Sequence, residues 1–107
     1  MRLFSRGKNR RGDQGTLRTG TSADTEHLEQ FIRSRPGVEA YVEPRTAVTD
    51  TTVLLIEHVG EWTRRRVDGP RGAESFARRH GLPLYDAAVV GYPQRMRDYN
   101  ARRKQQS

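Results

Sequence analysis

The chain has 107 residues, an apolar fraction of 33% and a formal charge of +7, which allow one small domain with a thin core. It contains no cysteine, so disulfides, thiolate metal sites and cysteine nucleophiles are excluded. Its longest apolar run, Val53 to Ile56, is too short to cross a membrane, and no apolar stretch follows the basic start at Arg2. We therefore expect a cytoplasmic protein without a secretory signal.

The charge is segregated. Residues 1–22 carry six Lys or Arg against Asp13 alone, and residues 93–107 carry five against Asp98 alone. The stretch between them holds nine bases and eleven acids. Basic ends around a near-neutral centre point to appendages that attract polyanions and a folded part with a separate task.

Ser5 to Ser22 is rich in Gly, Ser, Thr and Arg, with Leu17 its single apolar residue. It buries too little to offset its ordering entropy and reads as a disordered basic arm. The first helix is expected near Asp24. Thr21 and Asp24 have capping-box spacing, acids fill the first turns, and Leu28, Phe31 and Ile32 form an apolar stripe. Pro36 and Gly37 end it.

Val38 to Glu43 alternates as a half-buried strand, with Val38, Ala40 and Val42 on one face and Glu39, Tyr41 and Glu43 on the other. Thr51 to His58 is apolar on both faces and reads as the central strand. His58-Val59-Gly60-Glu61 turns the chain into a third strand, Trp62 to Val67, by an antiparallel hairpin. There Trp62, Arg64 and Arg66 share one face.

Pro70 suits the first turn of a second helix, with Ala73, Phe76 and Ala77 as its core stripe and Gly81 just past its end. Leu82 to Val90 stays open between strand, helix and loop: it is apolar, but Pro83 argues against a central strand. Pro93 opens a last helix with Met96 and Tyr99 facing inward and a basic end at Arg102-Arg103-Lys104. The fold expected is α+β, ordered α-β-β-β-α. It would have a three-stranded antiparallel sheet, helices on one face and an added C-terminal helix, with 1–22 as arm and 23–107 as the single domain.

Catalytic signatures are missing. His27, His58 and His80 lie on separate elements without metal-ligand spacing, and the glycines form neither a dinucleotide turn nor a P-loop. No metal, no cofactor and no enzymatic activity is expected.

Binding residues are easier to nominate. Trp62 with Arg64 and Arg66 forms an aromatic platform beside two guanidinium groups, which suits base stacking and phosphate contact. The competing reading is an edge strand kept soluble by charge, with Trp62 packed on the sheet. Arg71 sits in the first turn of the second helix, where the dipole disfavours a cation. Tyr92 and Pro93 introduce the last helix, whose Arg95, Arg97, Arg102 and Arg103 are expected on its outer faces. Helix N-termini also attract anions.

Three stretches carry a resemblance: Gly37 to Pro44, Trp62 to Arg66, and Val89 to Asn100. On these, the chain from about Glu29 to Lys104 resembles a family of small basic actinobacterial proteins, some of which bear an oxidoreductase label. None of these residues supplies redox chemistry, and the resemblance implies no mechanism. The element order is also similar to that of a double-stranded RNA-binding domain, in order alone. Such domains present lysines where this chain has Pro70, Arg71, Gly72 and Ala73.

The sequence thus leads us to expect an accessory protein that binds nucleic acid or a ribonucleoprotein through its basic arms and C-terminal helix. The alternative is an adaptor whose near-neutral core docks on a protein partner. Self-association is compatible with either.

Overall fold

A computed structural model describes residues 20–106. Most of the expected basic arm, residues 1–19, lies outside them. Helix α1 runs Ser22–Ser34, and Thr21 caps it in a reciprocal capping box with Asp24. The Asp24 carboxyl is held below its usual range, first by the Thr21 backbone N–H it accepts. The described chain is anchored one residue earlier, where Gly20 N donates to Asp68 Oδ1 at 3.0 Å.

Strands β1 (Glu39–Glu43), β2 (Thr52–Ile56) and β3 (Trp62–Arg66) form the expected antiparallel meander. The alternation in β1 and the apolar run Val53 to Ile56 in β2 dictate this arrangement, since β2 is buried on both faces and must lie inside the sheet. The turn between β2 and β3 is built by Glu57, whose Oε1 accepts from Val59 N and Glu61 N, both at 2.8 Å.

Helix α2 follows at Gly69–Arg79, with Pro70 in its first turn. The stretch left open by the sequence then resolves into two short elements, strand β4 (Leu84–Asp86) and helix α3 (Ala87–Val90). Strand β4 adds to β1 in parallel, so the sheet has four strands in the order β3-β2-β1-β4 and is mixed. Pro83 agrees with this edge position because a proline cannot donate to an inner ladder, while its carbonyl still accepts from Ala40 N. Helix α4 (Gln94–Gln106) closes the chain.

Two cores flank the sheet. On one face, Leu28 and Phe31 of α1 and Ala73 and Phe76 of α2 pack against Ala40, Val53 and Leu55. On the other, Met96 of α4 packs with Tyr41, Leu54 and Ile56, bordered by Trp62, Ala87 and Tyr92. The expected pair of helices therefore shares one face, and the C-terminal helix lies across the opposite one. No helix among the described residues is long and apolar enough to cross a membrane.

Candidate nucleic-acid interface

The face beneath α4 carries the residues nominated from β3. Strand alternation puts Trp62, Arg64 and Arg66 on this side, while Thr63 and Arg65 turn toward α1. Arg65 meets Asp24 at 3.6 Å, and Thr63 bonds His27 at 2.6 Å. Arg66 lies 3.9 Å from Asp50, so the three arginines of β3 take three different acidic neighbours.

Arg64 is the hub. Its Nε and Nη2 donate to the two carboxylate oxygens of Glu43, each at 2.8 Å. This bidentate fork is the strongest side-chain geometry available to an arginine. Glu43 also accepts from Thr52 Oγ1 at 2.6 Å and from the Tyr92 hydroxyl. Burial pushes its carboxyl up, but the donors Arg64, Thr52 and Tyr92 prevail and hold it below the usual value. Burial and the Glu43 carboxylate raise the Tyr92 phenol, which stays neutral and donating. Arg64 and Tyr92 are thus fixed by one acid that the sequence analysis had not singled out. Beside this network opens a cleft of about 450 Å³ lined by Pro44, Thr46, Thr49, Asp50, Ala87 and Ala88 as well as Glu43, Thr52, Arg64 and Tyr92.

Trp62 is half-buried at the open edge of the sheet. One side of its ring faces the Arg64 guanidinium, 5.2 Å from the ring centroid, and its Nε1–H donates to Asn100 Oδ1 at 2.8 Å. These contacts fix the indole, and Trp62 lines two clefts. One, of about 440 Å³, lies toward α4 between Trp62 and Tyr99, Asn100, Arg103 and Lys104, with Glu61. The other, of about 360 Å³, lies toward α1 and is lined by His27, Gln30, Phe31, Ser34, Arg35, Glu61, Trp62 and Thr63. Trp62 is therefore packed against Arg64 and Asn100 and still partly exposed.

Helix α4 distributes its cations unexpectedly. Gln94, Asp98, Ala101 and Gln105 recur at helical spacing opposite Met96 and form the outward stripe. Arg95, Arg97 and Arg102 take the flanks, while Arg103, seven residues after Met96, follows the inward stripe. Arg95 is half-buried: its Nη2 donates to Glu39 at 2.6 Å and its Nε to the Glu57 carbonyl at 3.1 Å. Arg102 donates to the Val59 carbonyl at 3.2 Å on the same flank. Arg97, on the other flank, bonds only the neutral acceptors Gln94 Oε1 and Tyr92 O among the described residues. Arg103 donates to the Tyr99 hydroxyl at 3.0 Å, with its guanidinium 5.8 Å from that ring's centroid. Lys104 is exposed and makes no hydrogen bond or ion pair among the described residues.

Arg97, Arg102 and Arg103 are exposed, as expected of the outer faces of α4, and the expectation is corrected for Arg95 alone, which is half-buried against Glu39 and Glu57. Arg95 ties α4 to the β2–β3 hairpin and is a structural residue. Arg71, on α2, belongs to the opposite face of the sheet, exposed and remote from this site. Arg64 and Tyr92 come together through Glu43, Trp62 joins them through Arg64, and Arg103 shares a cleft with Trp62. Tyr99, Asn100, Lys104 and Glu61 complete the surface. Of these, Tyr99 and Lys104 were readable as a helical stripe and a basic end, whereas Asn100 and Glu61 gave no signal of their own.

No cluster of three or more His, Asp or Glu suited to a metal occurs among the described residues. Compared with known families, curated proteins and solved structures, the chain matches none.

Proposed function

We propose that this protein is a non-catalytic, cytoplasmic accessory protein that binds single-stranded nucleic acid, free or within a ribonucleoprotein. The observation that carries the reading is the surface around Trp62, where an accessible indole and the Tyr99 ring stand beside Arg64, Arg103 and Lys104. Aromatic faces stack on unpaired bases, and the flanking cations attract the phosphates. The basic N-terminal segment adds sequence-blind contacts that strengthen binding at low salt.

The test is a titration of the full-length protein with a labelled single-stranded oligonucleotide at several salt concentrations. The Trp62→Ala change should weaken binding by about 1–3 kcal/mol, the worth of one stacked base. Removing residues 2–19 should lower the slope of log affinity against log salt by roughly 0.7 for each phosphate that is no longer neutralised. A Trp62→Ala protein that stays folded and binds as the wild type does would overturn the reading.

The adaptor reading is favoured by a different observation. The cleft beside Glu43 has a largely apolar wall, and Val48, Val89 and Val90 are exposed in the loop and the short helix that contribute to it. Nuclease treatment of the natively purified protein separates the two: a nucleic-acid binder releases its partner, and an adaptor retains it.

A further inference from the structure

Among the described residues, Glu61 is the one acid lining either Trp62 cleft, and it lines both. A carboxylate at this position opposes a phosphate, which leaves the interior of the clefts better suited to a neutral group rich in N–H donors. Arg35 Nη2 donates to Glu61 Oε2 at 2.7 Å, and the Arg35 guanidinium lies 4.3 Å from the Phe31 ring centroid. That bond is the first cause holding the Glu61 carboxyl below the usual range, so the group is ionised. The backbone of Glu61 is also pinned, with its N–H donating to Glu57 Oε1 at 2.8 Å and its carbonyl accepting from Glu57 N at 2.9 Å. Oε1 of Glu61 takes no hydrogen bond among the described residues. A carboxylate offers about four lone-pair sites, so capacity for further donors remains.

Guanine is the base that fits this acceptor. Its Watson–Crick edge presents the N1–H and N2–H donors side by side, matching the two oxygens of a carboxylate. Uracil offers one N–H between two carbonyls, and adenine and cytosine each place an acceptor next to their amino group. Single-stranded recognition works through such edges once the base is unstacked onto an aromatic ring. Building on the nucleic-acid reading above, we infer that the Trp62 site selects an unpaired guanine, stacked on the indole and read by Glu61. Asn100 holds the ring plane through the indole N–H, and Arg103 and Lys104 flank the path of the phosphates.

The experiment measures binding of the full-length protein to a uridine RNA octamer and to versions with one central G, A or C. Trp62, the only tryptophan, reports by fluorescence quenching, and a labelled RNA reports independently by anisotropy. The G-containing octamer should bind roughly tenfold more tightly than the other three, the worth of one good two-point base contact. Glu61→Gln keeps an acceptor for Arg35 but replaces one oxygen with a donor. It should lose the preference for G and bind the plain uridine octamer more tightly, because a negative charge has gone. A merely structural role would weaken every octamer together. Equal binding of all four by the wild type, or a G preference that survives Glu61→Gln, overturns the guanine assignment while leaving nucleic-acid binding intact. Failure of every octamer to bind or to quench Trp62 removes both.

Discussion

The two faces of the sheet are held by different physics. The α1/α2 face is closed by apolar residues: Leu28, Phe31, Ala40, Val53, Leu55, Ala73 and Phe76 all lie within a continuous core. The α4 face has a smaller core, with Met96 as the single buried residue of the helix. Its remaining attachments are polar, through Arg95 to Glu39 and Glu57, Tyr92 to Glu43, and Trp62 to Asn100. Apolar burial is non-directional and stabilising. Polar ties need specific positions, and between them they leave two clefts and a half-exposed indole. The proposed binding surface lies on the face with the smaller apolar core.

The largest predicted contrast is in core truncation. Phe76→Ala should destabilise the protein by about 3–5 kcal/mol, as large-to-small changes at buried aromatics do, and so approach the whole stability of a small domain. Met96→Ala should cost about 2 kcal/mol, at the low end for a buried methionine. Chemical denaturation followed by circular dichroism reads both. Equal losses would show that α4 is as integral to the core as α2, and the contrast between the faces would fail.

Gly60 gives a more selective break. Its φ of +103° lies in the region that favours glycine, and a Cβ built there would stand 2.1 Å from the Arg95 carbonyl oxygen. Gly60→Ala must therefore strain the turn or push the start of α4 off the hairpin. The expected cost exceeds about 1 kcal/mol, and hydrogen exchange should quicken in residues 94–106 while α1 and α2 keep their protection. Uniform loss of protection across the chain would mean that α4 cannot move apart from the rest.

The arginines of α4 sharpen the comparison at smaller scale. Arg95→Glu removes a half-buried ion pair and sets a second carboxylate against Glu39. Allowing for solvent screening, it should cost about 1–2 kcal/mol. Arg97→Glu, on an exposed flank with neutral partners, should stay within about 0.5 kcal/mol. Thermal melts of the two variants check the order, and Arg97 is accordingly the cleaner charge probe for binding experiments. A reversed order would contradict the assignment of Arg95 as the tie.

The α1/α2 face was readable from the sequence because its signals are periodic and local. The stripe at Leu28, Phe31 and Ile32, the Thr21 and Asp24 cap, and the alternation of β1 each follow from residues a few positions apart. The same holds for the common face of Trp62, Arg64 and Arg66, which strand geometry fixes. The pairing of β4 with β1 was not readable, since a three-residue edge strand has no period and its register depends on residues some forty positions away. The Glu43 network was hidden for a related reason. It joins β1, β2, β3 and the segment before α4, and only the folded sheet brings Tyr92 to Glu43. Glu61 was hidden by its setting, because a single acid in a hairpin turn reads as solvated until the clefts beside it are seen.

The smallest effect concerns pH, and it divides the faces again. On the α1 side, His27 is held below its ordinary value of 6.5, first by burial and then by the Arg65 guanidinium, with the Asp24 carboxylate opposing. The folded protein thus binds this proton less readily than the unfolded chain. Its stabilising share is complete above about pH 6.5 and falls as the pH drops toward the lower folded value. On the α4 side, Glu43 is held below 4.5 and contributes above that value, losing its share only as the pH falls through its folded value. Melting temperature should therefore decline in two stages on acidification. His27→Gln, which keeps a neutral side chain able to meet Thr63, should flatten the stage that begins below about pH 6.5 and leave the more acidic one in place. If His27→Gln melts with the wild-type pH slope throughout that first stage, the neutral His27 does not tie α1 to β3 as described.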